Sequence, residues 1–195
     1  MDEILWMEFS HKNGHRITPF CIGLDMGHRP DIFYNYLRDR NYLGCKIIGL
    51  KGDGDQVRQN VISTIPSFKN EGKVPIFYVS RPIGLNMLYS DLQIEESGPG
   101  YCHFPDFYEN PDLKYFEQLN AFTRVIEYKK NGERVAKWHK KPSVRKEAGD
   151  CRRYATAALH HALVLGADIE LFAERFNKYT PEQLKEILEA EENQR

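Results

Sequence analysis

The sequence predicts an α/β fold in which a central mixed sheet is flanked by helices. Three apolar runs of strand length cover residues 20–24, 45–50 and 74–80, and a stretch with helical periodicity lies between the first two. This β-α-β order favours parallel pairing of the first two strands. The dipeptide Asn131-Gly132, between two alternating stretches, adds a basic β-hairpin to the expected fold.

Turn and helix signals predict the elements that surround these strands. Residues 1–10 are expected to pair with the segment from Ile17 as a hairpin, and Pro30 opens the helix before the second strand. Residues 51–55, with the sequence KGDGD, have the composition of an exposed acidic turn. A short helix is expected to follow the third strand over residues 82–94.

The second half of the chain predicts mainly helices around the hairpin. A short strand over residues 101–104 and a helix over residues 112–122 are expected to precede it. The Ala-rich stretch over residues 147–165 is the clearest helix, and Gly166 ends it. Thr180 is expected to begin the last helix with a capping box.

Charge is distributed unevenly, although the formal net charge is only −1. Residues 124–153 contain 11 Lys/Arg against 4 Asp/Glu, whereas residues 168–195 contain 8 Asp/Glu against 4 Lys/Arg. We therefore expect a compact domain over residues 1–166 and an acidic helical extension over residues 167–195. The four cysteines form no CxxC pair and are expected to be reduced and buried. No apolar run approaches the ~18 residues of a membrane-spanning helix, so no membrane partner is expected.

Asp25 is the first candidate functional residue, because it follows an apolar strand at its carboxyl end. A buried carboxylate needs a partner, and a hard cation such as Mg²⁺ provides one. Glu147 and Asp150 lie in the first turns of the Ala-rich helix, which can lay them over the same edge of the sheet. Carboxylates there would hold two divalent ions about 4 Å apart for phosphodiester cleavage. Alternatively, Asp25 belongs to a turn or caps a helix, and the helix acids only complement the helix dipole.

Several segments together resemble the nuclease domain of lambda-type (GpA-like) large terminase subunits, the packaging enzymes of tailed phages. In chain order the matching segments are GLDMGH, IIGLKGDGD, YVSRPIGLNMLYSDL, GPGYCHFP, YFEQL, the hairpin that contains Trp138, and KEAGDCRRYATAAL. No single segment is decisive, but their order and spacing are specific. The likeness runs from Trp6 to His161 and so covers most of the chain.

This resemblance implies an RNase H-like fold and a metal-dependent endonuclease that cuts concatemeric viral DNA into genome units in the host cell cytoplasm. It implies two Mg²⁺ or Mn²⁺ ions as cofactors. The implied partners are double-stranded DNA, the terminase small subunit, the portal and an N-terminal ATPase motor. No Walker A motif is present, so we expect an excised domain, a prophage fragment or a split gene product.

The resemblance also assigns roles to individual residues. Asp25 and Asp150 would bridge the metal ions, Asn86 would be a third, imperfect ligand, and Glu147 would ligate or orient water. The residues expected to contact DNA phosphates, without sequence preference, are Lys140, Lys141, Arg145, Arg152 and Arg153.

Three positions depart from the family pattern, and Asn86 is the most important of them. The family usually has Asp there, often has Glu in place of Phe122, and usually has Asn in place of Lys146. An amide is a weaker Mg²⁺ ligand than a carboxylate. Either the site binds metal weakly, or catalysis is lost, or one of four acids supplies the missing charge: Asp53, Asp55, Asp91 or Glu147. The rival interpretations are another RNase H-like nuclease, such as a junction resolvase, and a non-catalytic DNA-binding module.

Overall fold

The computed structural model of the protein describes residues 3, 7–39, 46–54, 56, 58–68, 73–104 and 114–193. These residues form a mixed α/β fold, as the sequence predicts, with one three-stranded sheet, two separate two-stranded sheets and six helices. Parts of the predicted elements, including residues 1–2, 4–6, 45 and 112–113, lie outside the described residues.

The strands and helices are numbered in chain order. The strands are β1 (Phe9–Ser10), β2 (Arg16–Ile17), β3 (Cys21–Asp25), β4 (Lys46–Gly52), β5 (Ile76–Val79), β6 (Phe122–Tyr128) and β7 (Arg134–Lys140). The helices are α1 (Pro30–Asp39), α2 (Arg81–Asp91), α3 (Tyr115–Leu119), α4 (Glu147–Val164), α5 (Ile169–Lys178) and α6 (Pro181–Glu192).

The central sheet is parallel in its three strands and has β4 in the middle. Asp25 pairs in register with Leu50, and Gly52 pairs with Val79, so all three carboxyl ends meet at one edge. Residues 61–67 run antiparallel along β5 through isolated bridges, which lie outside the three parallel strands of this sheet.

Burial follows the position of each strand in the sheet. Residues 47–50 of β4 are buried because neighbouring strands and helices cover this central strand. Strand β3 is less buried than an apolar run predicts: its first four residues are half-buried, and Asp25 is exposed. Among the described strands, β3 has a ladder partner on one side only, which leaves its other side to loops and solvent.

Helix α4 packs closely on β3 through small residues. A Cβ added at Gly23 would overlap the side chain of Leu50 and lie 3.7 Å from the Cβ of Ala158. Leu50 and Ala157 are fully buried in the same core cluster, so little room exists for adjustment. The absence of a side chain at Gly23 therefore leaves the space that the side chain of Leu50 fills.

The predicted hairpins are both present. The short pair β1-β2 surrounds the turn at residues 11–14. Strands β6 and β7 pair from Phe122↔Lys140 to Tyr128↔Arg134, and Gly132 takes the positive φ of 82° that the turn requires. Phe122 is buried at the base of this ribbon, whereas Tyr128 near its tip is 69% exposed.

The acidic extension packs against the N-terminal hairpin. The Asn13 amide donates hydrogen bonds to the carbonyl oxygens of Phe176, at 2.9 Å, and Asn177, at 3.0 Å. The buried His15 ring lies 2.7 Å, through Nε2, from the carbonyl oxygen of Tyr179. The predicted capping box at Thr180 is confirmed. The division of the chain at residue 166 stays a prediction.

Three local expectations are corrected. Residues 101–104 are described and form no strand. The side chain of Asp53, expected in an exposed turn, is only 2% exposed because it pairs with Arg58. Cys151 is exposed rather than buried. No helix in the described part of the chain has both the length and the apolarity needed to cross a membrane.

The contact at Gly23 generates a stability prediction. Replacing Gly23 with Ala should lower the free energy of unfolding by about 1–3 kcal/mol, because the added methyl group overpacks the interface between β3 and α4. Gly98→Ala is the matched control, since nothing lies within 4 Å of its added Cβ. Urea unfolding measures both variants, and equal changes would contradict this account of the packing.

Candidate active site

Asp25 stands at the carboxyl edge of the parallel sheet, at the end of β3. Its Oδ1 accepts a hydrogen bond of 2.8 Å from the backbone N–H of Gly27. No hydrogen bond from the described residues reaches Oδ2. The carboxylate is therefore oriented by the turn that follows β3 and keeps one oxygen for a ligand.

Helix α4 brings two more carboxylates to the neighbourhood of Asp25. Partial burial raises the pKa of the Cys151 thiol, and the charges of Asp150, Glu147 and Asp25 raise it further. Asp25 and Cys151 also line the same cavity, so the carboxylate at the end of β3 lies near the first turns of α4, which carry Glu147 and Asp150.

Tyr154, which sequence reasoning missed, lines the same cavity as Asp25 and Cys151. Burial raises the pKa of its hydroxyl to about 12, and the charges of Asp25 and Asp150 contribute in the same direction. A Cβ added at Gly52 would lie 3.3 Å from the Tyr154 oxygen, which places that hydroxyl at the end of β4. Its position one turn after Asp150 was the available signal.

Asp150 is largely buried and has a cationic partner on each oxygen. Arg153 donates to Oδ1 and Lys146 donates to Oδ2. Burial of the carboxyl opposes ionisation, but the bonds and charges of Lys146 and Arg153 outweigh it, so the pKa of Asp150 lies below its ordinary value. The carboxylate is therefore ionised and compensated within the protein.

Arg153 is not available to a phosphate at the surface, because it is only 3% exposed. Its guanidinium lies 5.6 Å from the centroid of the Tyr154 ring. A Cβ at Gly84, in the first turn of α2, would come within 3.2 Å of its side chain. Its Nε and Nη1 groups find no hydrogen-bond partner within the described residues. This corrects the assignment of Arg153 to DNA binding.

Two further polar side chains at the sheet edge were not recognised as buried. Asp53 follows β4 and Ser80 follows β5, and both backbone N–H groups are held by neighbouring strand carbonyls. Asp53 Oδ1 and Ser80 Oγ are buried, and neither has a hydrogen-bond partner in the part of the chain that the structure describes. Buried polar atoms without partners are uncommon, so they point to a polar ligand at this edge.

Asn86 faces the hairpin. Its Oδ1 accepts a hydrogen bond of 3.0 Å from the indole N–H of Trp138, and the two residues line a cleft that does not include Asp25. Asp91 ends α2, about 15 Å along the helix from its start at the sheet edge. Asp55 lies outside the described residues.

Four of the predicted phosphate-binding residues keep contact with solvent. Lys140 and Arg145 are exposed, and Lys141 and Arg152 are partly exposed. Arg152 donates to the Cys102 sulfur at 3.1 Å and lies 5.6 Å from the Phe104 ring centroid. Because Arg152 is already engaged in packing, the hairpin base and the loop before α4 are the better basic surface.

The edge has donors suited to a divalent cation but no preassembled cage. Asp25 Oδ2 and the orphaned Asp53 Oδ1 are oxygen donors of the kind that Mg²⁺ and Mn²⁺ prefer. Asp150 would bind a cation only in exchange for Lys146. In the described residues, no group of three or more His, Cys, Asp or Glu side chains is arranged around a common point for a metal.

Carboxylates at the carboxyl edge of a parallel sheet, beside a basic hairpin, are typical of enzymes that act on nucleic acid. Comparison with models of known protein families supports this class of protein. Residues 1–169 match the family model described as the terminase large subunit gpA, endonuclease domain. The chain therefore belongs to this family of terminase endonuclease domains. No curated protein and no solved structure matches the chain.

The two aspartates should differ in their effect on stability. Asp150→Asn should lower the free energy of unfolding by about 3–5 kcal/mol near pH 7, because it leaves a buried guanidinium without its anion. The pKa of Asp150 is lowered by folding, so its contribution is present above the ordinary value of 3.8 and is lost as the pH falls below it. The deficit of the variant should therefore shrink in acid.

Asp25→Asn is the control for this measurement. Asp25 is exposed, so its replacement should change the free energy of unfolding by no more than about 0.5 kcal/mol. Chemical denaturation at pH 7 and below pH 4 supplies the comparison. Similar values for both variants at pH 7 would contradict the buried ion pair.

Proposed function

We propose that the protein is a divalent-metal-dependent endonuclease that cuts concatemeric viral DNA into genome units during phage packaging. Its membership of the terminase endonuclease family supports this proposal. The observation that carries it is that Asp25 lines one cavity with Cys151 and Tyr154 of helix α4, whose first turn also bears Glu147 and Asp150. We propose the RNase H-like fold for the same domain, since a parallel sheet edge faced by the acids of a helix fits it.

Asp25 and Asp150 are the proposed principal metal ligands, and Asp53 is the proposed third. Asp53 takes this place instead of Asn86, because Asp53 Oδ1 is buried without a partner whereas Asn86 Oδ1 already accepts a bond from Trp138. Two Mg²⁺ or Mn²⁺ ions bound there would activate water and stabilise the leaving oxygen of a phosphodiester. Glu147, which is exposed at the start of α4, is placed to orient water.

Three further residues are proposed to support the metal ligands without binding metal themselves. Arg153 holds Asp150 in place from within the core. Lys146 competes with a metal for Asp150 Oδ2, so this chain should need more metal than a site without that lysine. Tyr154, whose pKa of about 12 keeps it protonated, supplies a neutral hydroxyl at the end of β4, in the cavity that Asp25 also lines.

DNA is proposed to lie across the hairpin base and the loop before α4. Lys140, Lys141 and Arg145 would meet phosphates and give affinity without sequence preference. Double-stranded DNA, the terminase small subunit, the portal and an ATPase motor are the proposed partners, and the host cell cytoplasm is the proposed location. The proposed partners and location are inferred from membership of the terminase endonuclease family.

A non-catalytic DNA-binding module is the second candidate function. The observation that favours it is the internal neutralisation of Asp150 by Lys146 and Arg153, together with the lack of a three-ligand cluster in the described part of the chain. A carboxylate satisfied in this way can serve the fold without any metal. Measurement of cleavage separates the two functions.

Plasmid nicking with Mg²⁺ or Mn²⁺ tests the proposed chemistry. Asp25→Asn should lower the nicking rate at least about a hundredfold, because even groups that only orient a metal ligand are worth 10–100-fold. Asp91→Asn, which removes an acid at the far end of α2, should leave the rate unchanged. No nicking by the wild-type protein in either metal would favour the non-catalytic module.

Metal titrations of the wild type, Asp53→Asn and Asn86→Asp identify the third ligand. Asp53→Asn should raise the metal concentration for half-maximal nicking, while Asn86→Asp should superimpose on the wild type. Calorimetric binding of Mn²⁺ gives the same comparison without catalysis. If Asn86→Asp lowered the metal concentration for half-maximal nicking and Asp53→Asn had no effect, the third metal ligand would be residue 86 and not Asp53.

The basic surface predicts the salt dependence of DNA binding. Replacing Lys140 and Lys141 with Ala should reduce the slope of log affinity against log salt by about 1–2, because each neutralised phosphate releases counterion. Affinity for unrelated sequences should fall equally. Lys129→Ala/Lys130→Ala, at the hairpin tip, is the matched control. If the Lys140→Ala/Lys141→Ala variant kept the wild-type slope of log affinity against log salt, the hairpin base would not contact the DNA backbone.

A further inference from the structure

A second cleft, of about 450 Å³, lies between α2 and the base of the β6-β7 hairpin. Its lining includes Asn86, Tyr89, Gln93, Asn120, Trp138 and Lys141. Asp25, Cys151 and Tyr154 line a different cavity, so the cleft is separate from the candidate active site.

The aromatic wall of the cleft is held rigidly. The rings of Tyr89 and Trp138 stack, with centroids 4.7 Å apart and an interplanar angle of 26°. The Trp138 indole N–H donates to Asn86 at 3.0 Å. The Tyr89 hydroxyl donates to the carbonyl oxygen of Phe122 at 2.9 Å and accepts from the Phe122 N–H at 3.2 Å. Because these bonds fix both rings, a ligand that stacks on them loses little free energy in ordering the wall.

The remaining lining suits an anionic ligand with hydrogen-bonding edges. Gln93 and Asn120 supply amide groups, which can donate and accept. Arg124 and Lys141 supply positive charge, and no Asp or Glu is among the described residues that line the cleft. An aromatic platform with amides and cations matches a nucleobase and its phosphates.

Size and position decide which form of nucleic acid fits. A cleft of this volume is at the small-ligand end of pocket sizes, so it admits one base and its sugar but no duplex. The helix that forms one wall also reaches the candidate active site, because its Gly84 packs on Arg153 while its Asn86 contacts Trp138. The same helix thus borders the cleft and supports the arginine that pairs with Asp150.

We propose that this cleft binds an unpaired nucleotide of the DNA substrate, with the base on the Tyr89-Trp138 pair and the phosphates beside Arg124 and Lys141. The ligand class, DNA, rests on the proposed function. The requirement for an unpaired base rests on the cleft itself. The nuclease would accordingly engage a locally opened strand next to the bond that it cuts.

Fluorescence of Trp138 in the full chain tests this proposal without metal or cleavage. Trp6→Phe leaves Trp138 as the single tryptophan, since the chain contains two. The protein in EDTA is titrated with a 12-nucleotide single strand, a fully abasic strand of equal length, covalently closed relaxed plasmid, and dAMP. The base-containing strand should quench strongly and dAMP more weakly, whereas the abasic strand and the closed plasmid should not quench. Equal quenching by the abasic strand or by the plasmid, or none by the base-containing strand, would overturn the proposal.

Trp138→Leu supplies the second measurement, and Tyr128→Leu is its matched control on the same hairpin. Tyr128 is 69% exposed and outside the cleft. Anisotropy of a labelled single strand should show affinity about 5- to 100-fold weaker for Trp138→Leu, with duplex affinity unchanged and Tyr128→Leu unaffected. Equal losses for single strand and duplex would overturn the proposal. If Trp138→Leu does not fold, the quenching experiment decides alone.

These outcomes are independent of the proposed function. Quenching by the single strand with no nicking in any metal would support the cleft and reject the nuclease. Nicking without quenching would support the nuclease and reject the cleft.

Discussion

The close contact between helix α4 and strand β3 is the constraint on which the rest of the structure depends. An added Cβ at Gly23 would overlap the side chain of Leu50 and would lie 3.7 Å from the Cβ of Ala158 on the helix. The helix then starts beside the carboxyl edge of the sheet. Its first turn carries Glu147 and Asp150 toward Asp25, so a packing requirement in the core fixes the geometry of the candidate site.

Local signals were sufficient to predict most of the elements. The apolar runs gave β3, β4 and β5, the Asn-Gly dipeptide gave the hairpin, and Thr180 gave the cap of α6. Asp25 was recognisable because an acid directly after an apolar run must lie at a sheet edge. These predictions depend on residues that are neighbours in sequence, where propensity and periodicity act directly.

The wrong predictions concern side chains whose burial or direction depends on residues that are distant in the sequence. Asp53 is buried because Arg58, beyond the turn, covers it, and Arg153 is buried because Gly84 leaves room for its side chain. No pattern within α4 distinguishes Arg153 from the more exposed Arg152. The partner of Asn86 is Trp138, 52 residues away, so neither its direction nor the cleft could be derived from spacing. The roles of Asp25, Asp150, Glu147 and Asn86 in catalysis remain predictions.

Helix α2 connects the two regions to which function is assigned. It begins at the carboxyl end of β5, packs its glycine on Arg153, and presents Asn86 and Tyr89 to the hairpin. Displacement of this helix would therefore alter the support of Asp150 and the shape of the cleft together. The cleft and the ion pair of Asp150 therefore share one supporting helix.

The contact between Asn13 and the end of α5 has a consequence for how the protein is made. The Asn13 amide binds carbonyls that lie 163 and 164 residues later in the chain. At ~5–20 residues per second, a ribosome needs roughly 10–30 s to synthesise the intervening chain. During that interval the polar tip of the N-terminal hairpin has no helix end to bind, and the Phe176 ring that will lie 4.8 Å from His15 does not yet exist. The β1-β2 hairpin therefore leaves the ribosome well before the helix end that it contacts in the folded protein.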